Sequence, residues 1–444
     1  MCPQVVPVPF LMDEDCLTVN VWTPNMNPDK PLPVMLWIFG GTYEFGGAST
    51  YDGGDFLKAA ENSVVVVSIN FRLNIFGFFS TEAGMKEGAA NLQLLDQRLA
   101  FEWVQKYIRL FGGNPEDVTL WGVSSGAGAI GLHLLHYHNS TARPFHKAIL
   151  QSAGPTTMIG DVKYYQVALD KIVHRLGCVS RESSKVIECM QKVSWPYLLS
   201  TYKLIRGPVE LFINLVPTSP VVDGKVIAKD PGDMLREGSI SPIPILSGVT
   251  TDEATSFMTF VYNPFGDWTQ ILRGLIPGIQ DKDVRQLGLI YREKDYTSSY
   301  ARAVDVIGDV LFKCPEYLLA KHAKNKRYRY RFNQKTILMK LGPRPFNAGH
   351  AFENSYLWPG SISQTPYTIV FSKSDLKLSK EMVNYWVCFA INGDPNCKNQ
   401  LQWPEYASSD QRIVLQEPGL MLEPDPYDIM DERCTFLDSL RSRY

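Results

Sequence analysis

The sequence predicts an α/β protein built on a mainly parallel sheet, and three observations carry that prediction. Short β-branched or apolar runs alternate with helix-length stretches through the first third of the chain. Several of those runs are apolar throughout, as strands covered on both faces are. One of them, Val118-Thr119-Leu120-Trp121, leads directly into Gly122-Val123-Ser124-Ser125-Gly126. Two glycines around a serine let the chain turn sharply from strand to helix and lift the serine hydroxyl clear of the sheet.

Taken in order, Leu17–Trp22 alternates like a strand, Val34–Ile38 is a continuous apolar run ending at Gly40-Gly41, and Val64–Ile69 is β-branched. A helix is expected from about Leu94 to Leu110, with Leu95, Leu99, Trp103 and Ile108 near helical spacing. Asn114-Pro115-Glu116 reads as the turn into Val118–Trp121. The small apolar stretch Ala127–Leu135 suits a helix packed under the sheet, and Ala148–Gln151 is the next strand. From about 160 to 240 the chain turns helix-like, carries Cys178 and Cys189, and then runs through Pro208, Pro217 and Pro220. This is read as an insertion beside the sheet within one domain spanning 1–444. Pro244–Gly248 resumes the sheet, Tyr328–Phe332 alternates as a later strand, and Arg412–Gln416 is expected to be the last.

Composition bounds the function. The 444 residues are 45% hydrophobic and 20% charged, enough for a large core, and the net charge of −2 comes with no long basic run that would advertise a nucleic-acid partner. No stretch of about 20 apolar residues predicts a membrane span. The start, Met1–Pro9, has no basic opening and its apolar run is broken by proline, so it is not a signal peptide. The cysteines still suggest secretion. Of eight, Cys2 lies near Cys16 and Cys178 near Cys189, which short disulfide loops would fit, and no Cys-x-x-Cys metal spacing occurs. Asn139-Ser140-Thr141 is an N-glycosylation acceptor.

A serine hydroxyl needs a base to take its proton, and the base needs an anionic orienter. Only seven histidines are available. His350 stands in Asn347–Glu353, a loop following a predicted strand, from which an imidazole can reach over the elbow. For the acid, Asp252 and Glu253 follow the Pro244–Gly248 strand on the edge where open α/β sheets carry their sites. An oxyanion hole is the third requirement. Phe39-Gly40-Gly41-Thr42 follows the Val34–Ile38 strand with small residues whose N–H groups can approach a substrate, and the N–H of Ser125 adds a donor.

These residues resemble the type-B carboxylesterases, the carboxylesterase and cholinesterase group of α/β-hydrolases. Glu14-Asp15-Cys16-Leu17 resembles that family's Glu-Asp-Cys-Leu signature, and Phe39–Thr42 its oxyanion segment. Asn70–Leu73, Phe111–Pro115, Gln151–Gly154 and Trp386–Asn396 match further stretches, so the likeness runs nearly from end to end. It implies an α/β-hydrolase fold with the family's N-terminal strands missing, and a serine hydrolase that cleaves small-molecule or lipid esters through an acyl-enzyme, without cofactor or metal. It assigns Ser124 as nucleophile, His350 as base and Glu253 as orienter. Gly41, Thr42 and Ser125 become oxyanion donors, and Ser152 a serine behind the triad. It also implies the pairs Cys2–Cys16 and Cys178–Cys189, leaving Cys314, Cys388, Cys397 and Cys434 unassigned.

Three departures accompany the likeness. Val123 stands where the family usually has Glu, Thr42 where it has a third glycine, and Asn91-Leu92-Gln93 where it has Asn-x-Gly. They leave a second class open, a catalytically silent cholinesterase-like binding or adhesion domain, although such members typically lose a triad residue and this chain keeps all three.

Overall fold

The computed structural model describes residues 1–7, 10–206, 218–261, 268–276, 278–335, 347–358 and 371–441. Its centre is a nine-stranded sheet: β1 (Val19–Trp22), β2 (Leu32–Ile38), β3 (Val65–Ile69), β4 (Gly113–Val123), β5 (Lys147–Gln151), β6 (Ile245–Thr250), β7 (Arg327–Phe332), β8 (Gln411–Leu415) and β9 (Met421–Pro424). The spatial order is β1-β3-β2-β4-β5-β6-β7-β8-β9. The run from β3 to β8 pairs in parallel, while β1 on β3 and β9 on β8 are antiparallel. Strands β3, β5 and β6 are buried at every position. That is why they read as unbroken apolar runs: helices cover both faces of the parallel part.

The flanking helices used below are α1 (Leu92–Tyr107), α2 (Ser125–His136), α3 (Val162–Arg175), α4 (Ser183–Lys192), α5 (Trp195–Arg206), α6 (Cys314–His322), α7 (Lys373–Asn392) and α8 (Tyr427–Arg441). Helix α2 lies under the sheet, with Ser125 through Leu135 all buried. On the opposite face Trp37 of β2 and Trp121 of β4 meet Trp358, the last two rings stacked with centroids 4.7 Å apart. Helices α3, α4 and α5 fall within the stretch expected to be a helical insertion. Pro208 and Pro217 lie outside the described residues.

Four disulfides close the chain. Cys2–Cys16 and Cys178–Cys189 are two of them. The cysteines left unassigned pair as Cys314–Cys434, joining α6 to α8, and Cys388–Cys397, tying the end of α7 to the turn after it.

The helix expected from about Leu94 to Leu110 is present, and the structure adds which of its faces is buried. In α1 the inward face is Leu94, Gln97, Phe101 and Val104, whereas Leu95 and Leu99 are 38% and 57% exposed. The structure corrects two readings. Asn114-Pro115-Glu116 does not turn the chain before the strand; it lies within β4, opposite a register irregularity between Leu32 and Val34 of β2. The sheet also does not end at β8. The short edge strand β9 follows, and its four exposed or half-buried residues, Met421-Leu422-Glu423-Pro424, are too few to show a strand pattern.

Candidate active site

The site lies on the edge where β4, β5, β6 and β7 end. Ser124 follows β4 directly with φ 56° and ψ −131°, a conformation that L-residues avoid and that costs on the order of 1–3 kcal/mol. The surroundings enforce it. The Ser124 N–H donates to Gln151 O at 2.8 Å, and its carbonyl accepts from Gly128 N at 2.9 Å as α2 begins. Glycine is required on both sides of the turn. A Cβ at Gly126 would sit 2.2 Å from Ile38 O, and one at Gly122 would sit 2.7 Å from the same oxygen. Gly40 is equally constrained, since its Cβ would come within 2.8 Å of Ser124 Cβ. The Gly-x-Ser-x-Gly spacing thus lets the elbow fold back against the end of β2.

One strand over the kink repeats. Ser152, directly after β5, also has φ 56°, and its N–H donates to Gly248 O at 2.8 Å. Its Oγ is buried without a hydrogen-bond partner among the described residues.

Glu253 follows β6 in a tight turn. Its Oε1 accepts from Thr250 N at 2.7 Å, and its Oε2 lies 2.6 Å from Nδ1 of His350. A carboxylate can only accept, so Nδ1 carries the hydrogen and the Nε2 of the neutral ring keeps its lone pair. That Nε2 is buried and bonds to nothing among the described residues, Ser124 included. The pair is also joined through the main chain, His350 N to Glu253 O at 3.2 Å. Asp252 faces elsewhere: its N–H donates to Ala348 O at 3.0 Å, and its Oδ2 accepts from Ala348 N at 3.2 Å. Between the two carboxylates weighed from the sequence, the structure gives Glu253 to the histidine. Phe312, in a single wide helical turn over Asp309–Lys313, stacks on the imidazole at 4.0 Å, with Phe257 at 5.3 Å.

The segment expected to supply oxyanion donors follows β2. Gly41, Thr42 and Tyr43 have φ of 128°, 54° and 63°. Gly41 O accepts from Glu44 N at 2.9 Å, Phe45 N at 3.1 Å and the Thr42 hydroxyl at 2.7 Å. Thr42 therefore satisfies its own turn, although its backbone conformation is one glycine adopts more readily. Among the described residues, the N–H groups of Gly41, Thr42 and Ser125 donate to no protein acceptor. Val123 is buried and pairs with Gln151 across the sheet, a setting that suits an apolar side chain.

Three residues near the histidine were not picked out from the sequence: Glu353, Gln151 and Phe312. Glu353 is fully buried, and burial, reinforced by the nearby Glu253 charge, pushes its carboxyl up to about 7. Gln151 Nε2 donates to Glu353 Oε1 at 3.1 Å, and Trp121 Nε1 donates to Gln151 Oε1. Glu353 lies in the histidine segment, so its position was in view; its role depends on contacts with distant strands. No group of three or more His, Cys, Asp or Glu among the described residues is placed to hold a metal ion. No described helix is long and apolar enough to cross a membrane.

Comparison with known proteins agrees with this architecture. Residues 1–421 match the model of the carboxylesterase family. Acetylcholinesterase of Bungarus fasciatus is 31% identical over 440 residues, covering 93% of this chain and 70% of that protein. Acetylcholinesterase of Danio rerio is 29% identical over 469 residues, covering 93% and 72%. Among solved structures, EstA of Aspergillus niger superposes with a TM-score of 0.85 at 23% identity, over 99% of this chain and 86% of that one, a likeness of fold. With a mostly parallel sheet, a serine elbow at its edge and a family match along nearly its whole length, the chain belongs to the carboxylesterase family.

Proposed function

We propose that this chain hydrolyses carboxylic esters through an acyl-enzyme, with Ser124, His350 and Glu253 as its triad. The observation that carries the reading is the buried 2.6 Å contact between His350 and Glu253 on the sheet edge that also bears the strained Ser124 elbow. In this mechanism Ser124 Oγ bonds to the ester carbonyl carbon while its proton passes to His350 Nε2. The carbonyl electron pair moves to oxygen, where the N–H groups of Gly41, Thr42 and Ser125 stabilise it. Collapse of the adduct expels the alcohol, which takes the proton from His350. Water then repeats the sequence on the acyl group and frees Ser124. The Glu253 carboxylate orients the ring and stabilises its charged form. Apo enzymes often hold the serine–histidine contact long and tighten it on binding substrate, so the free Nε2 is compatible with this role.

The substrate class is a small-molecule or lipid ester. Four disulfides fit an oxidising compartment. Asn139, in an exposed turn after α2, is available for glycosylation. Both support a secretory route.

The test is hydrolysis of short p-nitrophenyl acyl esters by wild type and Ser124→Ala, with covalent labelling of Ser124 by an organophosphate. Activity should fall by at least ~10⁴-fold in the variant, in line with loss of a triad nucleophile. Folded wild-type protein that neither hydrolyses nor labels would overturn the reading.

A further inference from the structure

The mechanism above leaves one buried carboxylate next to the oxyanion segment unused. Glu44 is fully buried, and it follows directly on the left-handed residues Thr42 and Tyr43. Its carboxylate points away from the sheet edge into the helical insertion. There Oε1 accepts from Tyr202 OH at 2.5 Å and from Thr218 Oγ1, and Oε2 accepts from Arg206 Nε at 3.0 Å. Tyr202 and Arg206 belong to α5, whereas Thr218 lies on the far side of residues 207–217. Tyr202 OH and Thr218 Oγ1 are themselves 2.8 Å apart.

We propose that Glu44 is a positioning residue for the oxyanion donors, clamping the turn Gly41–Phe45 to the insertion. The inference rests on the reading of Gly41, Thr42 and Ser125 as those donors. The coupling passes through one peptide group, Gly41–Thr42. Gly41 O is held on the inner side of the turn by Glu44 N, Phe45 N and the Thr42 hydroxyl. In a trans peptide the carbonyl and the following N–H point in opposite directions. Holding Gly41 O inward therefore turns Thr42 N–H outward, and Gly40, next to Gly41, is in close contact with Ser124.

Glu44 supplies one of those inward donors, so its own placement sets the direction of Thr42 N–H. Consecutive left-handed residues that are not glycine persist only where the surroundings over-determine them. Here three anchors do so. The Glu44 side chain is fixed by the insertion. Asn74 holds the backbone, donating from N to Tyr43 O at 2.9 Å and from Nδ2 to Glu44 O at 3.3 Å. Gln4, inside the Cys2–Cys16 loop, exchanges two bonds with Gly46 at 3.0 and 3.1 Å.

Only the Glu44 anchor is a charge, and it is balanced by the buried Arg206 at 3.0 Å. In Glu44→Gln the shape is kept, but an amide cannot offer acceptors to all of Tyr202, Thr218 and the guanidinium. The clamp should loosen while the fold stays. Because the oxyanion forms only in the adduct, the loss should appear in kcat and spare KM.

The experiment compares wild type, Glu44→Gln, Tyr202→Phe and Thr218→Val with a p-nitrophenyl ester and with an alkyl trifluoromethyl ketone, whose hemiketal oxygen would occupy the hole. Glu44→Gln should lower kcat ~10–100-fold with KM within ~3-fold, a part of the ~10²–10³-fold that removing a whole donor costs. Affinity for the ketone should drop by the same factor. Tyr202→Phe and Thr218→Val, which keep the Arg206 pair, should show the same signature at ~2–5-fold, the loss of one hydrogen bond. If Glu44→Gln does not fold, these two variants decide the matter. Folded variants with unchanged kcat and ketone affinity, or with a change in KM alone, would sink the clamp and leave the triad reading intact. A wild-type chain that neither hydrolyses ester nor binds ketone would remove both.

Discussion

Two clusters of buried carboxylates lie around β7, and they are built in opposite ways. In one, Arg329 of β7 sits between Glu316 and Asp425. It donates to Glu316 at 3.0 and 2.5 Å and also to Asp425, while Ser247 and Tyr406 add hydroxyl donors at 2.6 and 2.7 Å. A permanent cation is shared by two anions, and those carboxylates hold the guanidinium charged well above its usual range despite burial. In the other, Glu253 and Glu353 share the edge beside His350 with no Lys or Arg in ion-pair contact with either among the described residues. Among the described residues, the only cation in contact there is one that His350 would create by taking a proton. The first arrangement secures the fold. The second leaves anionic character waiting for a transient charge, as a site that stabilises an imidazolium only during reaction needs.

The contrast can be broken from either side. The largest effect expected is on catalysis. Glu253→Gln should cut kcat on p-nitrophenyl esters by about 10⁴-fold, since the amide can favour the wrong imidazole tautomer. Its unfolding midpoint in urea should move little; a variant that unfolds readily yet stays active would place Glu253 in the structural class instead. In the Arg329 cluster the outcome should be reversed. Arg329→Met leaves the buried Glu316 without a cation and Asp425 with only Arg412 at 3.3 Å, and should destabilise by about 3–5 kcal/mol in urea unfolding. Folded protein at low temperature should keep a near-normal kcat, and a selective collapse of kcat would count against the distinction.

A smaller and more diagnostic effect concerns Glu353. Its carboxyl is pushed from an ordinary value of 4.5 to about 7, first by burial and then by Glu253. The folded state therefore favours the protonated form. The stability this gives is fully present below pH 4.5 and is lost as pH rises through about 7. The span corresponds to about 3 kcal/mol. Glu353→Gln should remove that loss, so its stability relative to wild type should climb between pH 5 and pH 8 in paired urea titrations. Parallel pH profiles for the two proteins would show that Glu353 carries no such proton.

How much of this was legible in the sequence follows from where each signal is encoded. Strands β2, β3, β5 and β6 were readable because burial on both faces turns a strand into a plain apolar run, whereas β7 was read from its alternation. The Gly-x-Ser-x-Gly spacing singled out Ser124, whereas the residues alone left Asp252 and Glu253 open, and it was the family resemblance that assigned Glu253 and His350. The buried face of α1 was not legible, because the helix carries leucines on more than one side and periodicity alone could not choose between them. β9 is four residues long, ends in proline and is exposed or half-buried, so it gives no pattern. Cys314–Cys434 spans 120 residues, and spacing says nothing about such a pair. Glu44 and Glu353 were missed for a shared reason: each acts through partners far away in sequence, up to 174 and 202 residues distant, so their roles exist only once the chain is folded.

The glycines around the elbow have a consequence for drift. At Gly40, Gly122 and Gly126 even a methyl group would run into main-chain atoms, whereas at Gly419 it would meet nothing within 4 Å. Backbone cannot swing aside as a flexible side chain can, so the smallest mutational step at the elbow is already a large one. A lineage retaining the fold without the chemistry could replace Ser124 or His350 at little structural cost and would still have to keep these three glycines. Their presence therefore records the architecture of the turn. The hydroxyl, the imidazole and the carboxylate are the positions where selection for turnover would leave its own mark.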